Sequence, residues 1–246
     1  MSTRAIRRDG RLYYTDSTRG EAIWPANPEV WLFDDFIDKA VDATSQWNSA
    51  GETGGTTGTF AYNAQAGGVA RITTGGADND EWAVASGLGF RASLGACVEV
   101  RLAAGDVTKA GFCVGFSDAV SETGNIALSF GGAAGALDSA ATDAVAFVLD
   151  SDKSSTHVWA CAVKNNTDGT PVDTAVVPTT GAFKTYRIET NAAGDARFYI
   201  DGTLVSTQAA AITASTALCV YIGVINREAA ANTWDIDYIK AWQNRS

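Results

Sequence analysis

The chain has 246 residues, 46% of them apolar and 19% charged, and its 18 basic and 28 acidic side chains leave a net charge of −10. That is apolar material for a sizeable core, in one large domain or two small ones, and the acidic balance argues against a nucleic-acid partner, which needs clustered Lys and Arg. No apolar run approaches bilayer length, and the basic N-terminus MSTRAIRRDG has no apolar stretch behind it, so the sequence predicts neither a membrane partner nor an export signal.

Residues 1 to 28 stand apart from the rest. Arg4, Arg7, Arg8, Arg11 and Arg19 give them a basic bias on an acidic chain, Asp9-Gly10 is a hairpin signal, and Pro25 and Pro28 bracket a short extended linker. Two readings stay open: a strand pair lying on its own domain, or an arm that docks on another chain through Arg7, Arg8, Arg11 and the aromatics Tyr13, Tyr14 and Trp24.

The domain proper, residues 29 to 246, opens on Val30-Trp31-Leu32-Phe33-Asp34-Asp35-Phe36, where Trp31, Phe33 and Phe36 are expected core anchors. Residues 51 to 58 (GETGGTTG) read as a loop. Strands are then predicted at 59–63, 68–73, 82–86, 96–103 and 110–116, followed by an Ala/Gly-rich stretch at 129–143 that suits one short helix or a long loop. Strands resume at 144–149, 157–164 and 172–177. Cys97, Cys113, Cys161 and Cys219 each sit alone in a separate apolar run, without the close partner of a metal site, and read as reduced core residues; a disulfide between facing strands stays open.

The clearest stretch is 183–206, FKTYRIETNAAGDARFYIDGTLVS, a meander of three antiparallel strands. Tyr186 and Ile188 alternate with Thr185, Arg187 and Glu189, and Ala196, Phe198 and Ile200 alternate with Arg197, Tyr199 and Asp201, the period of a half-buried strand. Asp201-Gly202 supplies the two positive φ angles of a type I′ turn. A bend at 209–216 and strands at 218–226 and 233–242 close the chain. About a dozen short strands with almost no helical period predict an all-β, two-sheet antiparallel jelly-roll sandwich with an N-terminal arm.

The segments Tyr186-Arg187-Ile188, Arg197-Phe198-Tyr199-Ile200-Asp201-Gly202 and Trp234-Asp235-Ile236-Asp237-Tyr238-Ile239-Lys240-Ala241-Trp242, with Phe33-Asp34-Asp35-Phe36 at the start, resemble the concanavalin A-like lectin and glucanase superfamily. The resemblance implies a sandwich whose last strand lies beside its first, and leaves function open, because such folds host many activities. Its β-glucanases carry a Glu-x-Asp-x-x-Glu strand with two catalytic carboxylates. The nearest string here, Asp235 to Lys240, has Asp first and Lys last, and Asp78-Asn79-Asp80-Glu81 reads as a loop. His157, the one histidine, would have to serve any Ser-His-Asp arrangement. No cofactor is required; a structural Ca²⁺ held by Asp34, Asp35, Asp235 and Asp237, where the first and last strands meet, is the one ion to weigh. Carbohydrate binding needs exposed aromatics; of Trp47, Trp82, Trp159 and Tyr221, we single out Trp82 and Trp159.

These features, and the resemblance to sandwich proteins of bacteriophage particles, lead to one expectation: a non-catalytic virion structural protein that decorates a capsid or associates with the head. It would be made in the host cytoplasm, attach to the major capsid or another virion protein by its arm and a sheet edge, and form a homo-oligomer such as a trimer. The alternative is a lectin-like, glycan-binding domain of a tail or fibre. A divergent glycoside hydrolase is third.

Overall fold

The computed structural model describes residues 3–8, 11–16, 22–25, 30–37, 41, 46–51, 58–119, 126–131, 135–153 and 155–245. Strands β1 (Thr3–Arg8), β2 (Arg11–Asp16) and β3 (Ala22–Pro25) pair in that order as an antiparallel sheet of their own. Arg8 pairs with Arg11 across the predicted Asp9-Gly10 turn, which itself lies outside the described residues. So do the side chains of Arg7, Arg8, Arg11, Tyr13, Tyr14 and Trp24, on which the docking expectation rests.

Eighteen further strands follow in chain order: β4 (Val30–Asp34), β5 (Asn48–Gly51), β6 (Thr59–Asn63), β7 (Val69–Thr73), β8 (Glu81–Ala85), β9 (Cys97–Ala103), β10 (Ala110–Ser117), β11 (Leu128–Gly131), β12 (Ala136–Ser139), β13 (Ala144–Asp150), β14 (Val158–Lys164), β15 (Thr167–Asp168), β16 (Val172–Val176), β17 (Phe183–Thr190), β18 (Ala196–Ile200), β19 (Thr203–Gln208), β20 (Cys219–Asn226) and β21 (Thr233–Gln243). One sheet runs β15-β14-β13-β10-β20-β8-β5, with β16 also on β14; the other runs β19-β18-β17-β9-β21-β7-β6, with β4 also on β21. We call them the β10 sheet and the β21 sheet. All pairings are antiparallel, as the two-sheet sandwich expectation requires.

The alternation read from the meander decides what lies between the sheets. Tyr186, Ile188, Phe198 and Ile200 point inward from the β21 sheet and are buried against Phe112, Phe147 and Val145 of the β10 sheet. Phe112 stands 5.3 Å from Tyr186 and 5.5 Å from Trp234, ring centre to ring centre, and Phe147 stands 5.3 Å from Phe198. Each such side chain contributes roughly 1.5–3 kcal/mol by leaving water. The turn after β18 has φ of 48° at Asp201 and 79° at Gly202, as the type I′ reading requires. The last strand lies beside the first: Ile239 pairs with Asp34, and the ladder runs to Gln243 opposite Val30.

Three expectations change. First, the described residues of 129–143 contain no helix, and most of them lie in two paired strands. β11 and β12 make a hairpin, and Leu128, Phe130 and Ile126 pack on the outer face of the β10 sheet against Cys113, Cys161, Tyr221 and Ile225. Second, Trp31 is not a core anchor but 48% exposed. Leu32 is the β4 residue that packs on the core, which turns Trp31 and Phe33 outward. Phe36 does reach the core, through a backbone kink at φ 54° secured by its N–H donating to Asp34 Oδ1 at 2.9 Å. Third, all four cysteines are free and buried, so the disulfide alternative falls away. Burial pushes the Cys97 and Cys161 thiols well up, which leaves little thiolate for chemistry.

Candidate functional site

A row of polar and aromatic side chains crosses the outer face of the β21 sheet. Strand register sets Tyr199, Arg187, Glu99, Lys240 and Phe33 in one row across five strands. Glu99, Arg187 and Lys240 are all buried. Glu99 Oε1 is 2.7 Å from Lys240 Nζ and accepts a hydrogen bond from the Tyr238 hydroxyl at 2.9 Å, while Oε2 is 3.4 Å from Arg187. Arg187 also contacts Glu189 at 3.3 Å and lies over the Tyr199 ring at 4.3 Å. Burial first, and then the Glu99 charge, drive the Tyr238 hydroxyl far above the usual phenol range. The row sets two cations against the Glu99 carboxylate, with Glu189 beside it as the second anion, and staples β17, β9 and β21.

At one end of this face is a pocket of about 270 Å³, bounded by Arg71, Asp106, Thr180, Asn232, Thr233 and Asp235 over a floor of Ala103, Ala104 and Gly105. The pieces come from four places: β7, the loop after β9, the loop before β17 and the start of β21. Arg71 grips Asp235 in a fork, Nε to Oδ1 at 2.7 Å and Nη2 to Oδ2 at 2.8 Å, and Gln65 adds a bond to Oδ2 at 3.1 Å. The hydrogen bond it donates to Asp235 holds the Arg71 guanidinium above its usual range. Asp106 Oδ1 accepts from the hydroxyl of Thr108 at 2.7 Å and from its N–H at 3.0 Å, which keeps its carboxyl below the usual range. Asn232 is fixed by Thr74 and Asn226 in a buried amide network. A Cβ on Gly105 would sit 2.6 Å from the Thr233 carbonyl and 3.3 Å from Cε2 of the fully buried Trp234, whose Nε1 has no hydrogen-bond partner. A side chain there would therefore collide with the β21 backbone.

The four acids expected to share a cation do not meet. Asp34 accepts from Trp47 Nε1 at 2.8 Å and from Gln46, Asp235 is held by Arg71, and Asp237 pairs with Arg101 at 2.5 Å. Asp35 is half-buried beside Gly68, whose Cβ would lie 2.3 Å from the Asp35 carbonyl. Among the described residues no three His, Cys, Asp or Glu side chains are placed to hold a metal. Trp82 and Trp159 lie on opposite faces of the β10 sheet and share no groove. Trp82 packs on the main core, and Trp159 stacks edge-on to Phe130 at 5.8 Å beneath the β11–β12 hairpin. His157 Nδ1 meets the Asp173 carboxylate at 2.9 Å, while Ser155 Oγ accepts from the His157 backbone N–H.

Arg71, Asp106 and Asn232 escaped the sequence reading because they are separated along the chain and belong to no motif. The signal present was slight: Gly105-Asp106 is a turn dipeptide directly after a predicted strand. Trp31, the exposed tryptophan on this same sheet, was hidden in a continuous apolar run.

No protein-family model and no curated protein matches this sequence. Solved structures do. LamAcat from Zobellia galactanivorans aligns over 88% of this chain and 98% of its own, with TM-score 0.58 and 18% identity. A Bacillus licheniformis β-glucanase aligns over 87% and 98%, with TM-score 0.56 and 12% identity. The carbohydrate recognition domain of Emp46p, in its potassium-bound form, aligns over 87% and 96%, with TM-score 0.52 and 12% identity. At these identities the likeness is one of fold. It corrects the expectation of a non-catalytic module, because this sandwich is also the frame of glycoside hydrolases. Nothing in the comparisons points to a capsid or other virion protein, so the capsid-decoration expectation has no support from them.

Proposed function

From a concanavalin A-like sandwich, the architecture that glycoside hydrolases and a carbohydrate recognition domain share with this chain, we propose that the protein binds carbohydrate in the pocket at the end of the β21 sheet. This is the lectin-like alternative of the sequence analysis, without its placement on a particle. The supporting observation is the donor set. A sugar ring offers adjacent hydroxyls that both donate and accept, and the fixed carboxylates of Asp106 and Asp235, the Arg71 guanidinium and the Thr180 and Thr233 hydroxyls complement them. The Ala103–Gly105 floor lets a ring approach the backbone. At about 270 Å³ the pocket sits just below the range of roughly 300–1,000 Å³ for drug-sized ligands, which suits one sugar unit.

The test is calorimetry against a panel of mono- and oligosaccharides, with Asp106→Ala as the control. Asp106 is held by local bonds to Thr108, so its removal spares the fold. Saturable binding that Asp106→Ala abolishes supports the proposal; no binding across the panel, or binding indifferent to the substitution, refutes it. Chromatography of the same mixtures reads hydrolysis directly, since release of shorter sugars would extend binding to cleavage.

A further inference from the structure

The exposed aromatic surface of this face lies in line with the pocket. Trp31 and Phe33 stand outward from β4 with their rings parallel, 2° between planes and 5.8 Å between centres, and Trp31 is 48% exposed. β4 and β7 both pair with β21, along successive stretches of it: Arg71 pairs with Asp235, Phe33 with Lys240 and Trp31 with Trp242. Five to seven residues of strand separate the pocket from the aromatics, roughly 17–23 Å. Ile37, 59% exposed, comes shortly after β4, and its backbone nitrogen lies 2.9 Å from where a Cβ on Gly68, just before β7, would stand. The buried Glu99–Lys240 staple lies across β21 from this column.

We propose that the β7–Ile37–β4 column is an extended subsite, and that the protein's ligand is a linear oligosaccharide with one unit in the Asp106–Asp235 pocket and a distant unit stacked on Trp31 and Phe33. This rests on the pocket being a sugar site. The chemistry differs along the column. The pocket end is charged and hydrogen-bonding, and selects a unit by its hydroxyls. The β4 end is a flat aromatic surface that takes the C–H face of a sugar ring and is indifferent to hydroxyl pattern. The span of several sugar rings between them excludes a monosaccharide as the full ligand.

The experiment measures affinity for one sugar as monomer, trimer and hexamer, on the full chain and on Trp31→Ala and Asp106→Ala variants. The expected result is a gain of about tenfold or more from trimer to hexamer, the size of one added contact. Trp31→Ala should erase that gain and leave monomer affinity unchanged; Asp106→Ala should lose all lengths. Equal affinity at all lengths, or a length gain that survives Trp31→Ala, overturns the extended subsite while leaving the pocket reading intact. No binding at any length, or binding that survives Asp106→Ala, overturns the pocket reading first. Trp31 is surface-exposed, and an unchanged melting temperature confirms that the variant is folded.

Discussion

Replacing Lys240 by methionine tests whether the Glu99 row is structural. Lys240 and Glu99 are buried and 2.7 Å apart. Removing one partner of a buried ion pair costs about 3–5 kcal/mol, because the other charge is left without compensation in a poorly hydrated site. Here Glu99 keeps Arg187 at 3.4 Å and the Tyr238 hydroxyl at 2.9 Å, which places the cost near the lower figure, about 3 kcal/mol. For a chain of this size that lowers the melting temperature by about 6–12 °C. Urea unfolding followed by tryptophan fluorescence gives the free energy, and an unchanged slope shows that the unfolded state is unaltered. Glu99→Gln with Lys240→Met removes both charges and should cost less than the two single changes added together. A single-variant cost below about 1 kcal/mol, the value of a solvated pair, would refute the reasoning.

Phe112→Ala removes a fully buried ring packed against Tyr186 and Trp234 and should cost about 3–5 kcal/mol in the same unfolding assay. Asp106 is held below the usual carboxylate value of 3.8 by its bonds to Thr108, so it stays ionised as pH falls past that value. Sugar affinity should therefore be flat from pH 7 to about 4 and drop only below it, and the stability Asp106 contributes should be lost over the same acid range; a midpoint near neutrality would contradict this. Tyr186 and Tyr238 are pushed far up by burial, so both should stay silent in an ultraviolet titration through the normal phenol range near 10 until alkali unfolds the chain. Because those two favour the neutral form when folded, stability holds below pH 10 and declines above it.

The strands were legible wherever one face of the chain is polar. At Thr185–Glu189 polar and apolar residues alternate, and the alternation alone fixes which side faces the core. At Val30–Phe33 every residue is apolar, so parity cannot be read; the register against β21 decides it, sending Leu32 inward and Trp31 outward. The β11–β12 hairpin was illegible for a related reason. It covers a second apolar face of the β10 sheet, and only Leu128 and Phe130 carry its two-residue period among small residues. Asp235 and Asp237 looked like cation ligands because nothing in the sequence tells that Arg71 and Arg101, more than 130 positions earlier, stand opposite them. The pocket is a product of topology, and no local window contains it.

The position of β21 has a consequence for how the protein is made. It follows every other strand of its sheet along the chain, yet it sits in the middle of that sheet, touching β9 along one edge and β7 and β4 along the other. Until it emerges, β4 and β7 have no common neighbour and the sheet is split in two. Sealing is thus postponed until β21 has been made, and a nascent chain stalled before it would display two open strand edges at once, an invitation to mispair with its neighbours on the same messenger.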